Sequence, residues 1–384
     1  MKNVLLIGIG GVYNYGCEAI VRGTVNILKN LDNSIKIYYA SYNYEDDMKR
    51  LSGCDVEILS RPKRKRWTFQ NILRKCLSYF DVNYVVPYDK VDWIQDFDTV
   101  FSIGGDIYTL SSDGRYSAEL PKFLCKCQDS GLKYILWGAS VGKFEKNLKA
   151  LNFFKKHLPK VDLILAREKN TVEYLQRLGV KKNVCLAPDP AFFVECPIID
   201  KNLNKDERPI IGINLSPLSA LYEYKNLDVA IQQQSEAIIN LIKQMQCNIM
   251  LLPHVLSPNP QDNDLTYMRA IYDKIKLQYS SNVILIDNDP GFIGLKSYIK
   301  QCDYVIAARM HCAVNAITMS VPTLFLSYSE KAKGMAEYVY NSNETVISLI
   351  EFENTPRIVN KLKNWNWSSK FEEIKRFNFN KILK

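Results

Sequence analysis

Arg309 and His311 stand two residues apart in the stretch 303–326, DYVIAARMHCAVNAITMSVPTLFL. A histidine gains and loses a proton near neutrality. An arginine presents a planar fork of donors that matches a carboxylate or a phosphate. Side by side, the two can hold an oxyanion and move a proton. His311 is one of three histidines in the chain. The sequence around the pair must position it. Residues 304–307 are a short apolar run of the kind that makes a buried strand in a parallel sheet. Residues 313–319 read as a small-residue helix and 322–326 as the next strand. In an open α/β sheet, ligands bind beyond the carboxyl ends of the strands, which is where this unit turns polar. The competing reading is a buried arginine and histidine that tie down a turn.

The same logic selects further residues at strand ends. An apolar run at 4–9 leads into GGVYNYGCEA at 10–19, which opens a helix expected over 18–31. Such a turn offers free backbone N–H groups and the positive end of a helix dipole. It places Asn14, Gly16 and Glu18 at the helix start, where an ordinary helix cap is the competing reading. The glycine spacing is not that of a dinucleotide fingerprint. A strand at 99–103 ends in Gly104, Gly105 and Asp106: the glycines let a backbone approach a ligand closely, and Asp106 stands at the rim. A strand at 134–137 ends in GASVG, and one at 184–187 leads to Pro188, Asp189 and Pro190. A strand at 161–166 ends in Arg167, a second arginine so placed, followed by a helix at 170–178. Further on, the run 248–252 leads to Pro253 and His254, and 322–326 leads to Tyr328, Ser329, Lys331 and Lys333.

The chain has 384 residues, 47% of them hydrophobic and 24% charged, enough for two globular cores. The formal charge of +9 suits an anionic substrate or surface. No RNP-type aromatic motif or zinc finger points to nucleic acid. Without HExxH, paired CxxC or Walker A patterns, we expect no metal site and no P-loop. The ten cysteines are scattered; Cys76, Cys185, Cys247 and Cys302 fall inside apolar patterns, Cys125 and Cys127 lie close together, and all are expected as reduced residues of a cytoplasmic protein. No apolar run approaches the roughly 18 residues of a membrane span, and MKNVLLIGIGG reads as strand and turn, not as a secretion signal. The stretch 61–80 carries seven Lys and Arg with Trp67, Phe69, Ile72, Leu73 and Leu77 between them. It reads either as a basic amphipathic segment lying on the inner face of an anionic membrane or as a solvated loop before a core-packed helix.

Strand–helix alternation makes 1–195 one doubly wound α/β domain. The polar, proline-bounded segment 196–209 reads as a linker. Strands expected at 210–215, 248–252, 283–286 and 304–307, with helices at 227–246, 264–277 and 292–301, make 210–345 a second such domain. Residues 346–384, with Trp365 and Trp367, read as terminal helices that can cross back to the first. Two such Rossmann-like domains are expected to face each other across a central cleft. Asn14, Glu18, Asp106 and Arg167 would come from the first, and His254, Arg309, His311 and Lys331 from the second.

The chain resembles the polysaccharide pyruvyl transferases. The resemblance runs from the first strand to about Tyr338. It rests on GVYNYGCEA at 11–19, SIGGDIY at 102–108, AREKNTVEYLQRLGV at 166–180, APDPAF at 187–192 and RMHCAVNAITMSVPTLFLSYSEKAKGM at 309–335. It implies a GT-B-like architecture of two Rossmann-like domains, and transfer of the pyruvyl part of phosphoenolpyruvate to sugar hydroxyls of a bacterial exopolysaccharide or capsule, or of its lipid-linked precursor, as a ketal. It implies His311 as general acid, Arg309 and Arg167 as residues that hold phosphoenolpyruvate, and Asp106 as a residue near the reacting sugar. The family's first motif often reads Asn-x-Gly-Asp-Glu; here Cys17 takes the Asp position and Glu18 remains.

The residues suit that chemistry independently. Phosphoenolpyruvate becomes electrophilic when its methylene carbon is protonated, which needs a positioned acid. Asp106 or Glu18 can deprotonate the attacking hydroxyl, arginines hold the anion, and no cofactor is needed beyond the donor substrate. Two other readings stay open. One is a nucleotide-sugar glycosyltransferase or sugar-nucleotide epimerase of the same architecture, with Glu330 or Glu337 on the ribose. The other is a non-catalytic polysaccharide-assembly protein, against which the intact Arg309, His311 and Arg167 argue.

Overall fold

A computed structural model describes residues 1–61, 67–79, 96–111, 113–195, 208–327 and 330–383. The linker expected at 196–209 lies outside these residues up to position 207, as do Tyr328, Ser329 and positions 62–66 and 80 of the basic stretch. The chain groups into two compact units. The first comprises Met1–Val12, Ile20–Pro190 and Asn378–Lys384, and the second Tyr13–Ala19 and Ala191–Phe377.

Among the described residues the first unit holds a seven-stranded parallel sheet. Its strands are β1 (Asn3–Ile7), β2 (Lys36–Ser41), β3 (Glu57–Ser60), β4 (Thr99–Ile103), β5 (Lys133–Ala139), β6 (Leu163–Ala166) and β7 (Val184–Leu186). Their order is β3-β2-β1-β4-β5-β6-β7. The chain winds outward from β1, then returns to β4 and winds the other way, so the topological switch point lies between β1 and β4, paired at Ile7 and Ser102. One face buries Leu5, Ile7, Val100, Leu136 and Ile164 against Phe123, Leu124, Phe154 and Leu175 of the flanking helices. On the other, Trp137 packs edge-on to Phe101, donates Nε1–H to Thr24 Oγ1, and meets Phe379 of the C-terminal segment.

The second unit repeats the plan with β8 (Ile210–Asn214), β9 (Asn248–Leu251), β10 (Val283–Leu285), β11 (Tyr304–Ala307), β12 (Thr323–Leu326) and β13 (Val346–Ile347), ordered β10-β9-β8-β11-β12-β13. The period-2 alternation of a strand explains its two cores. Val305 and Ala307 pack on one face with the helices Gly291–Ile299 and Met310–Thr318, while Ile306 packs on the other with Leu227–Met245 and Asp264–Tyr279. Each fully buried aliphatic chain contributes about 1.5–3 kcal/mol. This switch point lies between β8 and β11, where Asn214 pairs with Ala307.

Several elements differ from expectation. The helix expected at 313–319 is Met310–Thr318 and begins directly after Arg309, whose carbonyl accepts from the N–H groups of Cys312 and Ala313. Cys76, expected in the core, is exposed, and Arg61, expected in a surface-lying stretch, is buried with its guanidinium 4.3 Å from the centre of the Tyr42 ring. The cysteines of the described residues are free thiols. Among the described residues no helix is long and apolar enough to cross a membrane.

Candidate functional site

The second unit's switch point is built around Asn214, the last residue of β8. It is fully buried; its Oδ1 accepts the N–H of Arg309, and its Nδ2 donates to Leu252 O and Asp264 Oδ2. Arg309 is the extended N-cap residue of the helix Met310–Thr318, so its side chain leaves the sheet at the strand end. Its Nε donates to Asp264 Oδ1 at 3.1 Å, and its Nη2 donates to Asp264 Oδ1 at 2.8 Å and Asp262 Oδ1 at 2.6 Å. Burial opposes the guanidinium charge, but these two carboxylates outweigh it and hold the group above its usual range. Asp264 also accepts the N–H groups of His254 and Val255. Burial nevertheless lifts the Asp264 carboxyl above its ordinary value.

His311 lies in the first turn of the same helix, half-buried. Its ring lies on Gly16: a β-carbon added there would fall 2.5 Å from Nδ1 and 2.9 Å from the histidine's own β-carbon. Asn14 and Glu18, read from the sequence as first-domain residues, group with the second unit. Asn14 caps the helix Tyr15–Leu31, its Oδ1 accepting the N–H of Gly16, and pairs through a β-bridge with Val255. Glu18 is buried, and its Oε2 accepts the N–H of Phe292 in the first turn of Gly291–Ile299, where a carboxylate meets the positive end of the helix dipole. Tyr15 donates its hydroxyl to Asp289 Oδ1 and its N–H to His254 O. The motif YNYGCE is therefore fastened to the β9 and β11 ends.

His254 is buried, with its ring edge-on to Tyr15 and Phe292. Burial first, then the charges of His311, Arg309 and Lys296, push its pKa far below the usual histidine value, so the ring is neutral. Neither ring nitrogen has a hydrogen-bond partner among the described residues. Such orphaned buried atoms suit a bound ligand or water. Lys296 is buried, its Nζ donating to Thr318 Oγ1 at 2.6 Å. Lys331 is half-buried in the first turn of Glu330–Tyr340.

The first unit's switch point carries Gly104, Gly105 and Asp106. Gly104 is buried with φ at +128°. Gly105 lies under Arg167: a β-carbon there would fall 2.5 Å from Nη2. Arg167 is only 2% exposed. Its Nε donates to Ser140 Oγ, its Nη1 to buried Asp189 at 2.9 Å, and its Nη2 stands 3.6 Å from Asp106. Burial opposes its charge, and Asp189, then Asp106 and Glu168, overcome this. The group that this arrangement presents to solvent is Asp106, 56% exposed.

Sequence reasoning missed Asn214, Asp262, Asp264 and Ser140, and quoted Asp189 without a role. The polar tract PNPQDN at 258–263, followed by Asp264, carried the signal, but it read as a loop and a helix start. Among the described residues no group of His, Cys, Asp or Glu is arranged to hold a metal ion.

Two Rossmann-type units with polar switch points define a GT-B-like protein, and solved structures agree on that fold. UDP-GlcNAc 2-epimerase from Methanocaldococcus jannaschii is 12% identical with a TM-score of 0.60, over 100% of this chain and 99% of that one. A putative UDP-N-acetylglucosamine 2-epimerase from Listeria monocytogenes is 13% identical with a TM-score of 0.60, over 98% and 90%. A glycosyltransferase from Rickettsia africae is 14% identical with a TM-score of 0.54, over 100% and 96%. No curated protein matches the chain. The model of the polysaccharide pyruvyl transferase family matches residues 14–330, and the chain belongs to that family.

Proposed function

We propose that the protein transfers the pyruvyl group of phosphoenolpyruvate to two hydroxyls of a sugar in a cell-surface polysaccharide or its lipid-linked precursor. The observation that carries this reading is the placement of Arg309 and His311. They stand at a topological switch point, on the cap and first turn of one helix, inside the segment matched by the family. His311 protonates the methylene carbon of phosphoenolpyruvate. A sugar hydroxyl attacks the resulting cationic carbon and loses its proton to a carboxylate. Phosphate then leaves as hydrogen phosphate, taking the proton that the carboxylate accepted, and a second hydroxyl closes the ketal, its proton restoring His311. Arg309 holds the anion. Of the two carboxylates, Asp106 is exposed, whereas Glu18 is buried against Phe292 N–H. The base role therefore goes to Asp106, with Arg167 positioning it. Gly105 leaves room for the Arg167 guanidinium, Gly104 is the substrate-side glycine beside it, and His254 and Lys331 add polar contacts on the donor side.

Exposed Trp67, Phe69 and Ile72, at 84%, 78% and 45%, support a peripheral contact with an anionic membrane surface, where a lipid-linked acceptor would be met. The experiment for the transfer reading is thermal stabilisation. A ligand at a hundred times its dissociation constant adds about 2.7 kcal/mol to the folded state. Phosphoenolpyruvate should raise the melting temperature by a few degrees, inorganic phosphate less and pyruvate little. The structural neighbours named as epimerases of UDP-GlcNAc make a nucleotide sugar the rival ligand. Strong stabilisation by UDP-GlcNAc with none by millimolar phosphoenolpyruvate would replace this reading with that one.

A further inference from the structure

Arg309 carries two kinds of carboxylate partner. Asp264 is fully buried and is also held by the backbone N–H groups of His254 and Val255 and by Asn214. Asp262 is 30% exposed, on a single 3-10 turn (Pro260–Asp262), and the described structure gives its carboxylate one hydrogen-bonded partner, Arg309 Nη2. A half-exposed ion pair is weak, whereas a buried one is costly to break. Asp264 therefore fixes the guanidinium, and Asp262 is the partner that can leave.

Both carboxylates draw on Nη2. That nitrogen has two hydrogens, and Asp264 and Asp262 take both. Nη1 has no partner among the described residues. An oxyanion approaching end-on would use one hydrogen from Nη1 and one from Nη2. The Nη2 hydrogen that it needs is the one held by Asp262. We infer that Asp262 is a resident carboxylate in the outer fork of Arg309, which an incoming oxyanion must displace in order to bind through both nitrogens. Asp262 thereby lowers the affinity of any oxyanion that binds through both nitrogens. Tyr13 lies close enough for the Asp262 charge to oppose ionisation of its phenol, after burial and Cys17.

The identity of the oxyanion rests on the pyruvyl-transfer reading; the displacement does not. The test uses the full-length chain and isothermal titration with phosphoenolpyruvate, inorganic phosphate, pyruvate and UDP-GlcNAc, on wild type, Asp262→Asn and Arg309→Ala. The Asn variant keeps the side-chain shape and removes the charge; a cooperative melt shows that it folds. Asp262→Asn should bind phosphoenolpyruvate and phosphate three- to tenfold more tightly, while Arg309→Ala loses binding. Equal or weaker binding to Asp262→Asn overturns the displacement and leaves the transfer reading standing. Tightening of UDP-GlcNAc alone, with phosphoenolpyruvate inert on both proteins, supports the displacement and removes the transfer reading. If no oxyanion binds either protein at millimolar concentration, the outer fork is not an anion site and the proposal falls.

Discussion

The imidazole of His311 rests on the α-carbon of Gly16, leaving no room for a side chain: a β-carbon would sit 2.5 Å from Nδ1 and 2.7 Å from Cγ. The contact explains why a glycine stands between the cap residue Asn14 and Glu18. Gly16→Ala must push the ring or the helix start aside, because the histidine's own β-carbon is also too near for a rotamer change to relieve it. Overpacking of this kind costs roughly 1–3 kcal/mol. Gly16→Ala should melt lower by that amount and lose turnover well beyond the loss in stability, measured as phosphate release at a temperature where both proteins are folded. Full activity in a stable Gly16→Ala protein would show that the position of His311 does not matter.

Arg167 and Asp189 form a buried pair, 2% and 0% exposed. Removing one partner from such a pair typically costs 3–5 kcal/mol, because the other charge stays buried. Arg167→Ala and Asp189→Ala should each lose stability of that order in urea unfolding, and the double variant should lose clearly less than their sum. Additive losses would mean that the two do not act as a pair.

Much of this was legible beforehand. Tyr304–Ala307 and Thr99–Ile103 follow directly from short apolar runs, and the polar residues at their ends mark the switch points. The partners of those residues were not legible. Asn214 lies 95 positions from Arg309 and Asp264 lies 45 away. Asn214 meets Arg309 because β8 and β11 are neighbours in the sheet, and Asp264 follows β9, which flanks β8; local pattern does not encode that order. The reach of Tyr13–Ala19 into the second unit was hidden for the same reason: a helix-opening motif looks alike whichever core receives it. Leu73 and Leu77, spaced as for a core-packed helix, are only half-buried, because spacing reports an apolar stripe and not what covers it.

His157 should make stability pH-dependent. It is buried beside Phe153 and Tyr108, its Nδ1 3.4 Å from Cys125 Sγ, and burial pushes its pKa from 6.5 down to about 4. The folded state prefers the neutral ring, so below pH 6.5 the unfolded chain takes up the proton first. The stabilising contribution is complete above about pH 6.5 and is lost as pH falls towards 4, amounting to roughly 3 kcal/mol. His254, depressed in the same direction, adds to the loss. Urea unfolding at pH 7.5 and pH 4.5 should show a smaller difference for His157→Leu than for wild type. An identical difference in the two proteins would remove His157 from the account.

The helix Phe69–Tyr79 presents Phe69, Ile72 and Cys76 outward at i, i+3 and i+7, with Trp67 exposed just before it and Lys75 beside it. Aromatic residues of this kind seat at a bilayer interface, and each basic residue near an anionic surface adds about 1 kcal/mol. Trp67→Ser with Phe69→Ser should lower co-sedimentation with anionic vesicles about tenfold while leaving phosphoenolpyruvate affinity unchanged. Binding by wild type should fade at high salt. Equal binding to anionic and neutral vesicles would rule out the electrostatic contact.

The roles proposed for His311 and Arg309 separate in kinetics. General acid catalysis contributes about 10²–10⁴-fold to a rate, and it acts on the transition state, not on bound donor. His311→Ala should therefore lower phosphate release by that factor while the dissociation constant for phosphoenolpyruvate changes little. Arg309→Lys keeps the charge but loses the planar fork and its Nε–H donation to Asp264. It should raise the dissociation constant at least tenfold, with a smaller effect on turnover at saturation. The measurement is a titration of each variant with phosphoenolpyruvate, followed by single-turnover phosphate release from the saturated complex. A His311→Ala protein that binds phosphoenolpyruvate normally and releases phosphate at nearly the wild-type rate would transfer the acid role elsewhere. His254 could not take it over, because its buried ring stays neutral far below the pH at which an acid must hold its proton.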